Sequence, residues 1–131
     1  MKESKIIYRC VVLAGILLVI AALLRAISVN NFVVAISTGD ISKHYAASVL
    51  INASFSSVLL LLIAVWVFFL SRDLKKLQRR AWLQAIIIGI SLAAFGAGFW
   101  YQYPSSVHIP LFLALGLLLL VPLFIYRKHF K

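Results

Sequence analysis

Apolar positions in this chain come in long blocks that are hydrophobic on every side, not at the two-residue or 3.6-residue period of a half-buried strand or helix. Four blocks stand out, covering roughly residues 6–27, 46–70, 81–101 and 107–126. Each is close to the ~20 residues a helix needs to cross the hydrocarbon of a bilayer. Lipid offers no hydrogen bonds to a backbone, so each block is expected to be helical, because open strands would leave edges unpaired. The fold class expected is an all-α integral membrane protein. A four-helix transmembrane bundle would form one domain over residues 1–131, with spans at about 6–27, 41–71, 81–101 and 107–126. The second span is expected to begin ahead of the hydrocarbon at Ile41, capped by Asp40, and to stand proud of the membrane.

The polar breaks differ in kind. Residues 28–45, SVNNFVVAISTGDISKHY, mix Asn, Ser and Gly around an apolar core. They predict a short interfacial helix between the first two spans, with Asn31 as N-cap and Thr38-Gly39 closing it. The other two breaks, RDLKKLQRR at 72–80 and QYPSS at 102–106, are short enough to make the spans they join antiparallel neighbours. Within the third block Gly89, Ala93 and Ala97 recur every four residues, and Ala94 and Gly98 repeat that spacing. Small residues at that period let helix backbones approach closely, so a packing seam is expected there, more readily within the chain than between chains. Pro110 falls in a first turn, where a missing amide is harmless, whereas Pro122 lies deeper and predicts a kink.

Composition strengthens the membrane reading. The chain is 64% hydrophobic with only 12% charged residues, and its mean hydropathy is +1.07. Soluble domains are nearer half apolar and a quarter charged, and a core of this length could not hide such an excess. A cleavable signal peptide would have a shorter apolar run and an A-x-A site, so the first block is expected to remain as a span.

Charge then orients the spans. Lys2, Lys5 and Arg9 precede the first block. Arg72, Lys75, Lys76, Arg79 and Arg80 fill the second break, and Arg127, Lys128 and Lys131 close the chain. Only Arg25 and Lys43 lie elsewhere. The bias places both termini and the second break in the cytoplasm and the other two breaks outside, with a bacterial cytoplasmic membrane as the expected location. It also accounts for RDLKKLQRR as a cytoplasmic turn facing anionic headgroups, each basic residue near that surface being worth about 1 kcal/mol. A nucleic-acid grip would need a larger folded module or stacking aromatics among the charges, so no nucleic-acid partner is expected.

Polar groups within the blocks are where chemistry would have to reside. Ser48, Asn52 and Ser56 form one stripe on the second span, beginning just below His44 and Tyr45. In the bland reading the serines bond back to their own helix while Asn52 bonds across to a neighbouring one. Arg25 stands sixteen residues beyond Arg9, a rise of ~24 Å, and so reaches the outer boundary. There it either snorkels to water or holds an anionic or carbonyl group. Trp100, Gln102 and His108 fall at the same level. Arg25, His44, Tyr45, Ser48, Asn52, Trp100, Gln102 and His108 are thus the candidate ligand-binding residues of an outer-face pocket.

Several activities lack their residues. No Asp or Glu lies in any span, the acids being Glu3, Asp40 and Asp73, which removes the carboxylate on which proton-coupled export relies. Neither a carboxylate pair nor HExxH is present for intramembrane proteolysis. Cys10 is alone, so no thiol relay forms within the chain. Asp40, His44 and His108 lack a diagnostic ligand spacing, and no metal, cofactor or catalytic set is indicated. The leading expectation is an accessory, scaffold or assembly subunit that packs against itself or a larger membrane complex. Alternatives are a lipid-, isoprenoid- or quinone-binding protein or enzyme built on the outer-face pocket, and an oligomeric channel or carrier lined by the Ser48 stripe.

Overall fold

A computed structural model describes residues 2–39, 43–102 and 109–130, with the backbone alone at Lys2, Lys43, His44, Phe99, Gln102 and Ile109. Its regular structure is entirely helical among the described residues. Helix α1 runs Lys2–Ser37, α2 Lys43–Lys75, α3 Arg79–Gln102 and α4 Ile109–Ile125, and a single 3₁₀ turn follows at Arg127–His129. Three stretches, Glu3–Ser37, Tyr45–Lys75 and Arg79–Gly98, are long and apolar enough to cross a membrane. The fourth helix is shorter, at 17 residues.

The separate interfacial helix expected after residue 27 is replaced by a continuation of α1, which passes through Asn31 to Ser37 without interruption. No Gly or Pro breaks residues 28–37. The polar side chains there do not compete for the backbone in a way that ends the helix. Ser28 Oγ donates back to the Leu24 carbonyl at 3.0 Å, and Ser37 Oγ to that of Val34 at 2.7 Å. Termination falls at Thr38-Gly39, as the sequence implies. Gly39 adopts φ +84° and its amide returns to the Ile36 carbonyl at 3.2 Å. Asp40 and Ile41, expected to cap and open the next helix, lie outside the described residues.

Helix α2 overruns its apolar block and ends at Lys75 in a Schellman motif. The Leu77 amide donates to the Leu74 carbonyl at 3.0 Å and the Gln78 amide to that of Asp73 at 3.3 Å. This geometry requires a left-handed residue after the helix, normally Gly, yet the chain places Leu77 there at φ +57°. Its side chain is buried, which offsets the strain. Gln78 then accepts the Trp82 amide through its carbonyl, opening α3 with only residues 76–78 between the two helices.

The described chain divides into two compact units, one comprising residues 1–15 and 66–131, the other residues 16–65. In the first, buried positions recur at helical spacing. They are Ile7, Val11 and Ala14 on α1; Val67, Leu70 and Leu74 on α2; Ala81, Ala85 and Leu92 on α3; and Leu115, Leu119 and Leu123 on α4. The first part of α1 runs antiparallel to the end of α2, since a Cβ on Gly15 would meet the Phe68 ring at 3.0 Å while Lys75 Nζ lies 5.3 Å from the centre of the Tyr8 ring. Helices α3 and α4 are likewise antiparallel, with Trp82, Gly89 and Gly96 facing Leu123, Gly116 and Leu113 in turn. In the second unit the buried residues are Leu18, Ala21, Ala22, Ala46 and Ala64, whereas most of its other large apolar side chains are exposed.

Candidate functional site

The small-residue seam of α3 is occupied by α4 of the same chain. A Cβ on Gly116 would come within 2.6 Å of the Ala93 nitrogen and 2.7 Å of the Gly89 oxygen, and one on Gly96 would strike the Leu113 backbone. At Gly89 the obstruction is the Leu120 side chain, at 2.8 Å. The close approach therefore uses Gly89, Ala93 and Gly96 against Gly116. Ala97, Ala94 and Gly98 are exposed, and nothing lies within 4 Å of the Cβ position at Gly98. Gly96 and Gly116 escape a count of four-residue intervals in one block, because which stripe becomes the seam depends on the helix opposite.

Of the residues expected at the outer face, Arg25, Tyr45, Ser48 and Asn52 all belong to the second unit, and Trp100 to the first. All five side chains are exposed. No hydrogen bond joins Arg25, Tyr45, Ser48 or Asn52 to one another among the described residues. The side chains of His44 and Gln102, and the whole of His108, lie outside what is described. No group of three His, Cys, Asp or Glu side chains able to hold a metal occurs among the described residues.

The α2 stripe separates into satisfied and unsatisfied groups. Ser56 Oγ donates to the Asn52 carbonyl at 2.7 Å and Ser57 Oγ to that of Ala53 at 3.0 Å, the back-bonding that consumes a hydroxyl within its own helix. The Asn52 carboxamide has no hydrogen bond among the described residues, although it carries two donors and an acceptor. Around it on α2, Ile51, Phe55, Val58 and Leu59 are exposed as well. An unpaired amide on an apolar helix surface is a group that a second helix can satisfy.

A different site forms where α3 begins and the chain turns after α4. The last carbonyls of a helix have no intrahelical donor. Here that of Leu123 receives Trp82 Nε1 at 2.9 Å, across 41 residues of sequence. The 3₁₀ turn then carries the tail over the indole, with the Arg127 guanidinium 5.8 Å from the ring and the Phe130 ring centred 6.2 Å away. Arg79, Trp82, Arg127, Lys128 and Phe130 line an open cleft of about 410 Å³. An apolar groove of about 580 Å³ also runs along α4, lined by residues that include Ile6, Cys10, Leu117, Val121 and Tyr126. The basic and aromatic cleft is not a motif in the sequence; its one visible hint is a tryptophan two residues after Arg79-Arg80.

These features define the class: an all-helical protein with three helices fit to cross a membrane. No protein-family model, no curated protein and no solved structure matches the chain.

Proposed function

We propose that the protein is a scaffold or assembly subunit of a membrane complex, and that the face of α2 bearing the exposed Ser48 and Asn52 and the half-buried Ser56 receives a helix of a partner or of a second copy. The observation that carries this reading is the Asn52 carboxamide, which has no hydrogen bond among the described residues and lies amid exposed apolar side chains. Hydrogen bonds of this kind between membrane helices contribute about 0.6–2 kcal/mol each, enough to select a partner and register once packing has brought the helices together.

Helix length supports the same reading. At ~1.5 Å per residue, α1 with 36 residues and α2 with 33 extend about 54 and 50 Å, against ~30 Å of hydrocarbon. Even tilted by ~40°, α2 would span about 38 Å, so part of each helix leaves the lipid. Charge bias anchors the Arg9 and Arg72 ends at the cytoplasmic surface, with the chain in a bacterial cytoplasmic membrane and both termini inside. The 17-residue α4, free of charged residues, then serves as a fourth crossing at the short end of the usual range. The excess length falls on the outer side, where Val33, Val34 and Tyr45 are exposed. Apolar surface at or beyond the lipid boundary is covered when another subunit packs on it.

The test is Asn52→Leu, which keeps the helix apolar and removes the amide. Membranes solubilised in mild detergent and run on a native gel should show the wild-type protein in a species larger than the monomer and the variant shifted toward the monomer. An unchanged migration for Asn52→Leu would discard the reading.

A further inference from the structure

The geometry points to a binding site for the phosphate of an anionic phospholipid in the cleft formed by Arg79, Trp82, Arg127, Lys128 and Phe130. It uses none of the residues of the α2 stripe, so it stands or falls separately from the scaffold reading. Three cations meet here from two parts of the chain. Glu3 and Asp73 are the only described acids, and neither is ion-paired to Arg79, Arg127 or Lys128 among the described residues. Clustered like charges with no counter-charge among the described residues are stabilised by an anion that several donors can share. Two guanidinium forks and an ammonium suit the oxygens of a phosphate. The cleft also lies against the start of the 24-residue α3, whose first turn contains no acid, so the helix dipole adds to the positive potential.

The aromatic wall separates a lipid phosphate from a soluble one. A free phosphate is fully hydrated and gains nothing from Trp82 and Phe130, whereas the glycerol and ester region of a phospholipid does. The cleft sits where the apolar run of α3 starts and that of α4 ends, the level at which tryptophan rings gather in membrane proteins. It is also preorganised. The Trp82 bond to the Leu123 carbonyl fixes the indole, and the indole in turn holds Arg127 and Phe130 beside Arg79. Its volume of about 410 Å³ is ample for a headgroup.

Native mass spectrometry of the full chain in detergent tests this, with phosphatidylglycerol, phosphatidylcholine or inorganic pyrophosphate added in turn. Phosphatidylglycerol should be retained at least about tenfold more tightly than either of the others. At about fivefold per cation, Arg79→Gln with Arg127→Gln should weaken it by about 25-fold. Removing the same charge at Arg72 and Lys76, outside the cleft, should weaken it far less. Trp82→Phe should also weaken binding at unchanged charge. If the arginine pair disturbs the fold, Lys128→Gln, an exposed side chain, should still cost about fivefold. Equal losses from the two double variants would mean that the charges act diffusely and would overturn the site. Equal retention of phosphatidylcholine would overturn the need for an anion, and pyrophosphate binding as tightly as phosphatidylglycerol would overturn the assignment to lipid.

Discussion

Leu77 holds a left-handed backbone conformation that costs an ordinary residue roughly 1–2 kcal/mol and glycine almost nothing. Its buried side chain outweighs that cost, because truncating a buried leucine removes about 2–5 kcal/mol. Both Leu77→Ala and Leu77→Gly should therefore destabilise the protein, with Gly the milder by about 1 kcal/mol because it also relieves the φ strain. Denaturant unfolding in detergent would check the order, and a more stable Ala variant would contradict it. The seam glycines divide in the same way. At Gly116 an added methyl meets backbone, which no rotamer relieves, so Gly116→Ala should cost about 1–3 kcal/mol by overpacking. Gly98→Ala, in open space on a helix, should be neutral or mildly stabilising. Asn52, Gly89 and Ala93 could be picked out in the sequence because polar and small residues are conspicuous in apolar blocks. Gly96, Gly116 and Trp82 could not, since each matters only through a residue far along the chain.

Among the elements, α1 is the one whose extent sequence reasoning misjudged. Ser28, Asn30 and Asn31 read as a break, yet such residues cost a helix only tenths of a kcal/mol each. A long helix with neither Gly nor Pro absorbs that and ends where Gly39 offers a left-handed exit. The core-facing stripes were illegible for the opposite reason. With apolar residues on all sides, nothing in the sequence distinguishes Leu115, Leu119 and Leu123, which are buried, from Leu117 and Val121, which are exposed. Among the described residues the tail after α4 rests on Trp82 through two ring contacts, from Arg127 and Phe130, and the indole is itself fixed by its bond to the Leu123 carbonyl within α4. Trp82→Phe removes the bond and keeps most of the ring, a loss of about 1 kcal/mol. Trypsin should then cleave after Arg127 and Lys128 faster than in the wild type, and an unchanged rate would show that the tail is held by other means.

At the scale of the whole molecule, membrane character and charge asymmetry were plain in the sequence, because both are sums over many residues that no single contact alters. Surfaces for partners are not sums of that kind, and on α2 only the structure shows that Ser56 and Ser57 bond within their own helix while the Asn52 carboxamide has no hydrogen bond among the described residues. Disulfide trapping in native membranes probes that face directly, in a chain carrying Cys10→Ser and one new cysteine at Ser48, Ser56 or Ser54. Ser54 is two residues from Asn52 and about 200° round the helix, so it samples nearly the same depth on the other side. Oxidation should give covalent adducts for Ser48→Cys and Ser56→Cys and little or none for Ser54→Cys. Adducts at all three positions alike would contradict a helix seated on the Asn52 face, and adducts at none would contradict a second copy seated there.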